Sequence, residues 1–269
     1  MPIVLKTRRE IDLMRHAGRV GHDILEKMKT AAVAGVTTLE LDDLAASELA
    51  KVGGIGMSRN YPTYRAGEGF PGHTCISVNE EIVHGIPGPR VLRTGDLVTL
   101  DLALKVNGYC CDTAVTVSIG AITPRNQRLL DVTRQTLDLA IANITPGRRW
   151  SDIARLMQHN VEKNGYSVVR EFVGHGVGRD MHEDPKVPNF VSPEQMRSDF
   201  KLRPGMTLAV EPMVAMGRRE VELLSDGWTV VTEDRTPAAH FEHTIAVTET
   251  GVEVLTDGRV PASAAVGVT

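Results

Sequence analysis

The sequence predicts an α+β fold, in which a curved, mostly antiparallel sheet carries helices on its outer face and the two halves of the chain are related by an internal pseudo-two-fold. Three observations point there. Two helical segments precede a run of strands, and the same order then recurs. A phrase is written twice, Leu92-Arg93-Thr94-Gly95 with six further residues to Asp101, and Leu202-Arg203-Pro204-Gly205 with six further residues to Glu211. The echo extends outward, because His84-Gly85-Ile86 and His175-Gly176-Val177 precede the copies, while Asp112-Thr113-Ala114-Val115 and Glu242-His243-Thr244-Ile245 follow them. Finally, Asn107-Gly108 between two apolar alternations marks a two-residue antiparallel hairpin.

The elements follow in order. Thr7 with Glu10 forms a capping box, and Leu13, Ala17, Val20, Ile24 and Met28 then recur at helical spacing. Thr37 with Glu40 repeats the signal, and a second helix runs through Leu41, Leu44 and Leu49 to a Gly53-Gly54 stop. In the second half Thr123-Pro124 opens a helix lined by Leu130, Leu137 and Ile141, and Ser151 is expected to cap another through Ile153, Leu156, Met157 and Val161. Strands are expected at 75–78, 97–104, 109–117, 168–173, 207–211, 228–231 and 240–247. The stretches 60–72 and 185–204 are expected to be irregular.

At 269 residues the chain can bury a large core, and the echo argues for one domain over 1–259 with halves of about 7–120 and 121–256. Residues 260–269 are small and unpatterned, so a disordered tail is expected. A net charge of −4 lacks the basic footprint of a nucleic-acid binder, which leaves small or peptidic partners. Three cysteines, two of them adjacent, make no disulfide framework and suit a reducing compartment, so the cytoplasm is the expected location. The N-terminus lacks the apolar core of a signal peptide, and no apolar run is long enough to span a membrane.

The hairpin fixes where two acids point. If Val106 pairs with Tyr109, Asp112 lies opposite Ala103, and Ala103 shares a face with Asp101. The two aspartates are then diagonal neighbours roughly 7–8 Å apart at the backbone, on the face opposite Leu100, Leu102 and Leu104. Cys110 falls on the acid face and Cys111 on the leucine face. An arginine partner is the ordinary explanation for one strand aspartate. For two on one face it weakens, since only Lys105 at the hairpin edge could compensate their repulsion. His175 lies in Gly174-His175-Gly176-Val177-Gly178, where small neighbours would let the imidazole and backbone approach a ligand. Glu211 and Glu242 echo the first-half acids, giving the ligand set Asp101, Asp112, His175, Glu211 and Glu242. Four carboxylates and one imidazole favour manganese, iron, cobalt or zinc, and so much negative charge calls for two divalent ions, between which a water would be acidified to a nucleophile.

Competing motifs fail on context. Gly67-Glu68-Gly69-Phe70-Pro71-Gly72 fits a dinucleotide fingerprint, but no strand precedes it and Pro71 spoils the helix start. His182-Glu183 begins like a zincin helix, yet Asp184-Pro185-Lys186 lacks the second histidine. No phosphate-binding loop and no serine nucleophile elbow occur.

The ordered motifs His84-Gly85-Ile86-Pro87, Asp101, Asp112-Thr113, Gly174-His175-Gly176-Val177-Gly178, Met181-His182-Glu183-Asp184-Pro185, Glu211-Pro212-Met213 and Glu242-His243-Thr244-Ile245, with Cys75-Ile76-Ser77-Val78-Asn79-Glu80, resemble type I methionine aminopeptidase, from about Thr7 to Thr256. The resemblance implies the pita-bread fold and a dinuclear metal-dependent hydrolase that removes the initiator methionine from nascent chains, preferring a small second residue. It implies that the five residues above are the ligands, with Glu211 doubling as a proton shuttle. His84 would contact the substrate amine and assist proton transfer, and His182 would stabilise the carbonyl oxygen as it becomes an oxyanion. Tyr61, Phe70, Cys75, Met181 and Trp228 would line the methionine pocket, where flexible apolar and aromatic walls suit a thioether. A monomer touching the ribosome transiently, with no nucleic-acid specificity and no membrane, completes the expectation. This chain departs from the pattern in three places. The segment Pro62–Glu68 looks inserted, Met181 stands where relatives often carry an aromatic, and Cys110-Cys111 replaces the usual residues, which would expose Cys110 to the metals or to oxidants. A prolidase-like enzyme and a metal-free peptide binder of the same fold are the competing readings; the second typically loses ligands, whereas all five are present here.

Overall fold

Both capping boxes form where the spacing places them. Thr7 N donates to Glu10 Oε2 at 2.9 Å and Glu10 N to Thr7 Oγ1 at 3.3 Å, opening α1 (Arg8–Ala31). Thr37 and Glu40 do the same for α2 (Thr38–Lys51). This computed structural model describes residues 2–62 and 69–259, so the expected tail and all but Pro62 of the apparent insertion lie outside the described residues.

The first-half strands are β1 (Ile55–Gly56), β2 (Cys75–Val78), β3 (Glu81–Val83), β4 (Leu97–Val106) and β5 (Tyr109–Ser118). Then come α3 (Pro124–Ala142), α4 (Trp150–Lys163), β6 (Ser167–Val168), β7 (Gly174–Gly176), β8 (Glu183–Val187) and α5 (Pro193–Arg197). The chain continues through β9 (Thr207–Val210), β10 (Met213–Ala215), β11 (Val221–Leu223), β12 (Val230–Thr232), β13 (Ala238–His240), β14 (His243–Val247) and β15 (Val252–Val254). All recorded pairings are antiparallel.

The strand order makes the internal repeat concrete. In the first half β4 lies between β2 and β5, and in the second β9 lies between β7 and β14. Each central strand leads to one repeated acid and each outer neighbour to another. The apolar faces are covered separately. Leu100, Leu102 and Leu104 of β4 pack with Ala17, Ile24 and Met28 of α1 and with Leu41 and Leu49 of α2. Leu208 and Val210 of β9 pack with Leu130 and Leu137 of α3 and with Trp150, Ile153 and Met157 of α4. Each such side chain contributes about 1.5–3 kcal/mol on burial, so helices cover one face of each sheet and the opposite face stays available for polar groups.

Several local expectations are corrected. Residues 169–173 are not strand, because pairing ends at Val168, where β6 meets β10. The expected strand over 240–247 is two strands, β13 and β14, separated at Phe241 and Glu242, where the chain changes partner from β10 to β9. The strand expected at 228–231 begins at Val230. Helix α4 starts at Trp150 with Arg149 in the cap position; Ser151 lies in its first turn, bound through N and Oγ to Asp199. The stretch 185–204 contains most of β8 and the short α5, whose cap is Ser192.

Candidate metal centre

The Asn107-Gly108 turn fixes the first two acids. Both residues adopt positive φ, 51° and 81°, as a type I′ turn requires. Val106 pairs with Tyr109, Ala103 with Asp112 and Asp101 with Ala114, the register the turn predicts. Both aspartates therefore share the face away from the leucines. Cys111 lies under α1, its thiol 3.3 Å from Ala17 O. Cys110 is fully buried, 3.5 Å from Arg179 O, and burial pushes its thiol up to about 12. The expected exposure of Cys110 to metals or oxidants is thus corrected: its neighbours close over it, and a thiol held protonated is a poor nucleophile.

The second half brings its acids to the same place by a reciprocal clamp. Thr244 Oγ1 donates to Asp112 O and accepts from Asp112 N, both at 2.8 Å. Thr113 Oγ1 donates to Glu242 O at 3.1 Å, and Ala114 and Glu242 pair across the junction. Asp112 and Glu242 are thereby each held through their backbone by a threonine of the other half. Glu211 follows the last residue of β9, with its carbonyl accepting from Asn189 Nδ2 at 3.1 Å. His175 sits on β7 opposite Ala209. A Cβ on Gly174 would meet Ala209 O at 2.3 Å, and one on Gly176 would meet Asp184 O at 2.3 Å. The glycines flanking His175 therefore admit neighbouring backbone rather than a ligand. His84 is not its structural counterpart: it lies in the loop after β3, with φ at 59° and its ring edge-on to Phe172 at 5.3 Å.

Ligand atoms of Asp112, His175 and Glu242 all lie within 4.8 Å of one another. His175 Nε2 is 3.6 Å from both Asp112 Oδ2 and Glu211 Oε1. Its Nδ1 is 2.9 Å from Gly176 O, a contact that keeps a proton on Nδ1, so that when a cation displaces the second proton the Nε2 lone pair faces the acids. Burial alone would depress this imidazole, but Asp112 and Glu211 beside it hold it up to about 9. Glu211 is raised to about 7 by burial, His175 opposing and Asp112 adding to the effect. Asp101 and Glu242 are pushed well above the carboxylate range by burial and by the neighbouring acids Asp112 and Glu211.

These side chains fit a divalent cation. Among the described residues the ion pairs of Asp112, Glu211 and Glu242 are to histidines, and none of the four acids is paired with lysine or arginine. Glu242 is 2% exposed, and its Oε1 has no hydrogen-bond partner among the described residues. A buried carboxylate without compensation costs several kcal/mol. An oxygen-rich set with one imidazole lone pair is what a hard or borderline divalent ion removes that cost from.

Of the remaining predicted residues, His182 lies directly beside the cluster. The His182 ring centroid lies 4.2 Å from that of His175 with the planes tilted by 54°, and His182 Nδ1 lies 3.0 Å from Tyr61 Oη. Although its outer edge is open to solvent, the packing around His182 and then His175 hold it down to about 4. Burial holds His84 at about 4 as well, against the opposing pull of Asp112. Phe70 meets Trp228 edge-on at 5.3 Å, Cys75 faces Asp101 across β2 and β4, and Met181 belongs to the cluster on which Tyr61 packs. Asn60 N bonds Phe70 O at 2.8 Å and Phe70 N bonds Tyr61 O at 3.1 Å. Tyr61 and Phe70 are therefore pinned by one backbone neck. Sequence reasoning missed His240, which is 2% exposed with Nε2 3.8 Å from Glu211 Oε2. Its spacing two residues before Glu242 was the available signal. A separate cavity of about 360 Å³, lined by Trp150, Lys186, Phe190 and Phe200 among others, contains none of the predicted site residues.

Residues 12–249 match the model of metallopeptidase family M24. The chain is 46% identical to methionine aminopeptidase 1 of Bacillus subtilis over 94% of this chain and 99% of that protein. It is 38% identical to the methionine aminopeptidase of Escherichia coli over 97% and 98%. The crystal structure of methionine aminopeptidase from Thermotoga maritima superposes with a TM-score of 0.89 at 41% identity, covering 95% of this chain and 99% of that one. An Xaa-Pro dipeptidase from Bacillus anthracis shares the fold alone, with a TM-score of 0.74 at 23% identity, and this chain covers 62% of it.

Proposed function

Since the chain belongs to metallopeptidase family M24 and, within it, to the methionine aminopeptidases, we propose a residue-level account of how it removes the N-terminal methionine. The enzyme is a metal-dependent hydrolase that takes the initiator methionine from proteins and peptides. The observation that carries the account is the convergence of four acids and one imidazole from both halves with no lysine or arginine partner among the described residues.

Asp101, Asp112, His175, Glu211 and Glu242 hold two divalent ions, drawn from cobalt, manganese, iron and zinc. Bound there, the ions supply Lewis acidity and a nucleophile at neutral pH. The protein supplies position and proton transfer. Glu211, whose Oε1 lies 3.6 Å from His175 Nε2 at the heart of the cluster, is the carboxylate assigned to shuttle the proton between the attacking water and the leaving amine. His84 lies on the amine side and assists that transfer. His182 donates from Nε2 to the carbonyl oxygen as charge develops; the contact of its Nδ1 with Tyr61 Oη supports that tautomer. Tyr61, Phe70, Cys75, Met181 and Trp228 enclose the methionine side chain and exclude water, with Phe70 against Trp228 as the aromatic wall.

The whole of 1–259 acts as one catalytic domain, supported by a family match that runs through both halves. Nascent N-termini as substrates place the enzyme in the cytoplasm as a monomer in transient contact with the ribosome. No described helix is long and apolar enough to cross a membrane. A small residue after methionine is the preferred context. Cleavage assays on Met-Ala-Ser and on an Xaa-Pro dipeptide test this reading. Methionine release from the tripeptide is expected; cleavage of the dipeptide alone would move the chain to prolidase chemistry.

A further inference from the structure

His240 at the end of β13 is 2% exposed, and neither of its ring nitrogens has a hydrogen-bond partner among the described residues. An unmet polar group in a dry interior costs about 1–3 kcal/mol, so a native imidazole left this way calls for a reason. The backbone holds it in place. His240 N donates to Thr116 Oγ1 at 2.8 Å, Thr116 Oγ1 lies 2.9 Å from His240 O, and Thr116 in turn meets Thr99 Oγ1 at 2.8 Å. His240 also pairs with Met213 on β10.

So anchored, Nε2 lies 3.8 Å from Glu211 Oε2 and 3.9 Å from Glu242 Oε2. The other oxygens face elsewhere: Glu211 Oε1 is 3.6 Å from His175 Nε2, and Glu242 Oε1 has no partner among the described residues. One ring thus lies beside Oε2 of both glutamates, while Oε1 of Glu211 faces His175 and Oε1 of Glu242 is left without a protein partner among the described residues. A shift of about 1 Å in either carboxylate closes its gap to hydrogen-bonding length. From this placement we infer that His240 is a positioning residue of the metal centre, whose Nε2–H donates to Glu211 Oε2 and Glu242 Oε2 and leaves Oε1 of each for the cation. Outer hydrogen bonds of this kind set ligand orientation, and their loss typically weakens metal binding about 10–100-fold. The inference rests on the metal-centre reading above.

The test compares metal-stripped wild-type protein with His240→Leu, which fills the ring's volume without a donor, and His240→Gln, whose amide N–H reaches a similar position. Calorimetric titration with Co²⁺ should show affinity about 10–100-fold weaker for His240→Leu and restored to within about threefold by Gln. A measurement on the native protein stands beside the variants: histidine-¹⁵N-labelled protein loaded with ¹¹³Cd²⁺. His175 should show nitrogen–cadmium coupling, and His240 a protonated, slowly exchanging Nε2–H without it. Wild-type affinity in His240→Leu, failure of Gln to restore it, or cadmium coupling at His240 overturns the positioning role. A wild-type protein that takes up no divalent ion overturns the metal-centre reading and this inference with it.

Discussion

Metal-free protein should lose stability as the pH rises from about 7.5 to about 8.5, and metal-loaded protein should not. His175 sets the lower bound. Asp112 and Glu211 hold its imidazole at about 9 against an ordinary 6.5, despite the opposing effect of burial. A base whose folded pKa is raised stabilises the fold below its unfolded pKa and loses that contribution as the pH climbs through the folded value. Over this one-unit window the loss from His175 is about 1 kcal/mol. Asp101 and Glu242, which keep their protons in the fold well above the carboxylate range, act in the same direction. The lower limit of the window avoids His84, His182, His240 and His243, all held at about 4, whose opposite effect is complete near neutrality. Toward its upper limit the buried thiols, held protonated by burial, add a smaller fall of the same sign that is common to stripped and loaded protein, so the difference between the two reports the cluster. At roughly 2–4 °C per kcal/mol for a chain of this size, the thermal midpoint of stripped protein should fall by at least about 2–4 °C. A divalent cation replaces the protons and should flatten the curve. Thermal scans in chelator and in saturating Mn²⁺ at both pH values measure this. A flat or rising midpoint in chelator, or a parallel fall in Mn²⁺, refutes the electrostatic account.

Tyr61→Phe removes the contact to His182 Nδ1 at 3.0 Å; a net hydrogen bond of ~1 kcal/mol corresponds to about fivefold, so kcat on a Met-peptide should fall by that much with metal affinity unchanged. Lys6→Ala breaks the buried pair with Glu183 at 2.5 Å, whose carboxylate also accepts from Arg179 N in the turn before His182. A stability loss of about 3 kcal/mol should appear in thermal scans, with lower turnover and unaltered metal uptake. Thr244→Val strips both hydrogen bonds from the Asp112 backbone and leaves buried groups unmet. It should cost about 2–5 kcal/mol on denaturation and weaken metal binding, measured by calorimetry.

Local signals were legible because local chemistry decides them. Both capping boxes formed, and Asn107-Gly108 set a register from which the shared face of Asp101 and Asp112 could be counted. Long-range placement was not legible. The stretch 240–247 reads as one strand, yet it switches partner at Phe241 and Glu242, and no propensity reports which strand lies alongside. Strands of two or three residues such as β6, β10 and β13 exist only through one another, so 168–173 gave no honest boundary. The glycines around His175 looked like ligand access, and the competing fact, backbone at 2.3 Å from an added Cβ, belongs to the assembled sheet. Cys110 had the correct face but the wrong exposure, because the register says which way a side chain points and not what closes over it.

The most direct test of the central claim assays the purified protein on Met-Ala-Ser with and without chelator, alongside metal analysis of wild type and Asp112→Asn. Asp112 lies 3.6 Å from His175 Nε2 and, with His175 and Glu242, makes up the tight cluster. The account predicts that wild type binds divalent ions and releases methionine, that chelator abolishes turnover and added Mn²⁺ or Co²⁺ restores it, and that Asp112→Asn loses both. Undiminished methionine release in chelator, or in an Asp112→Asn protein free of metal, would contradict it.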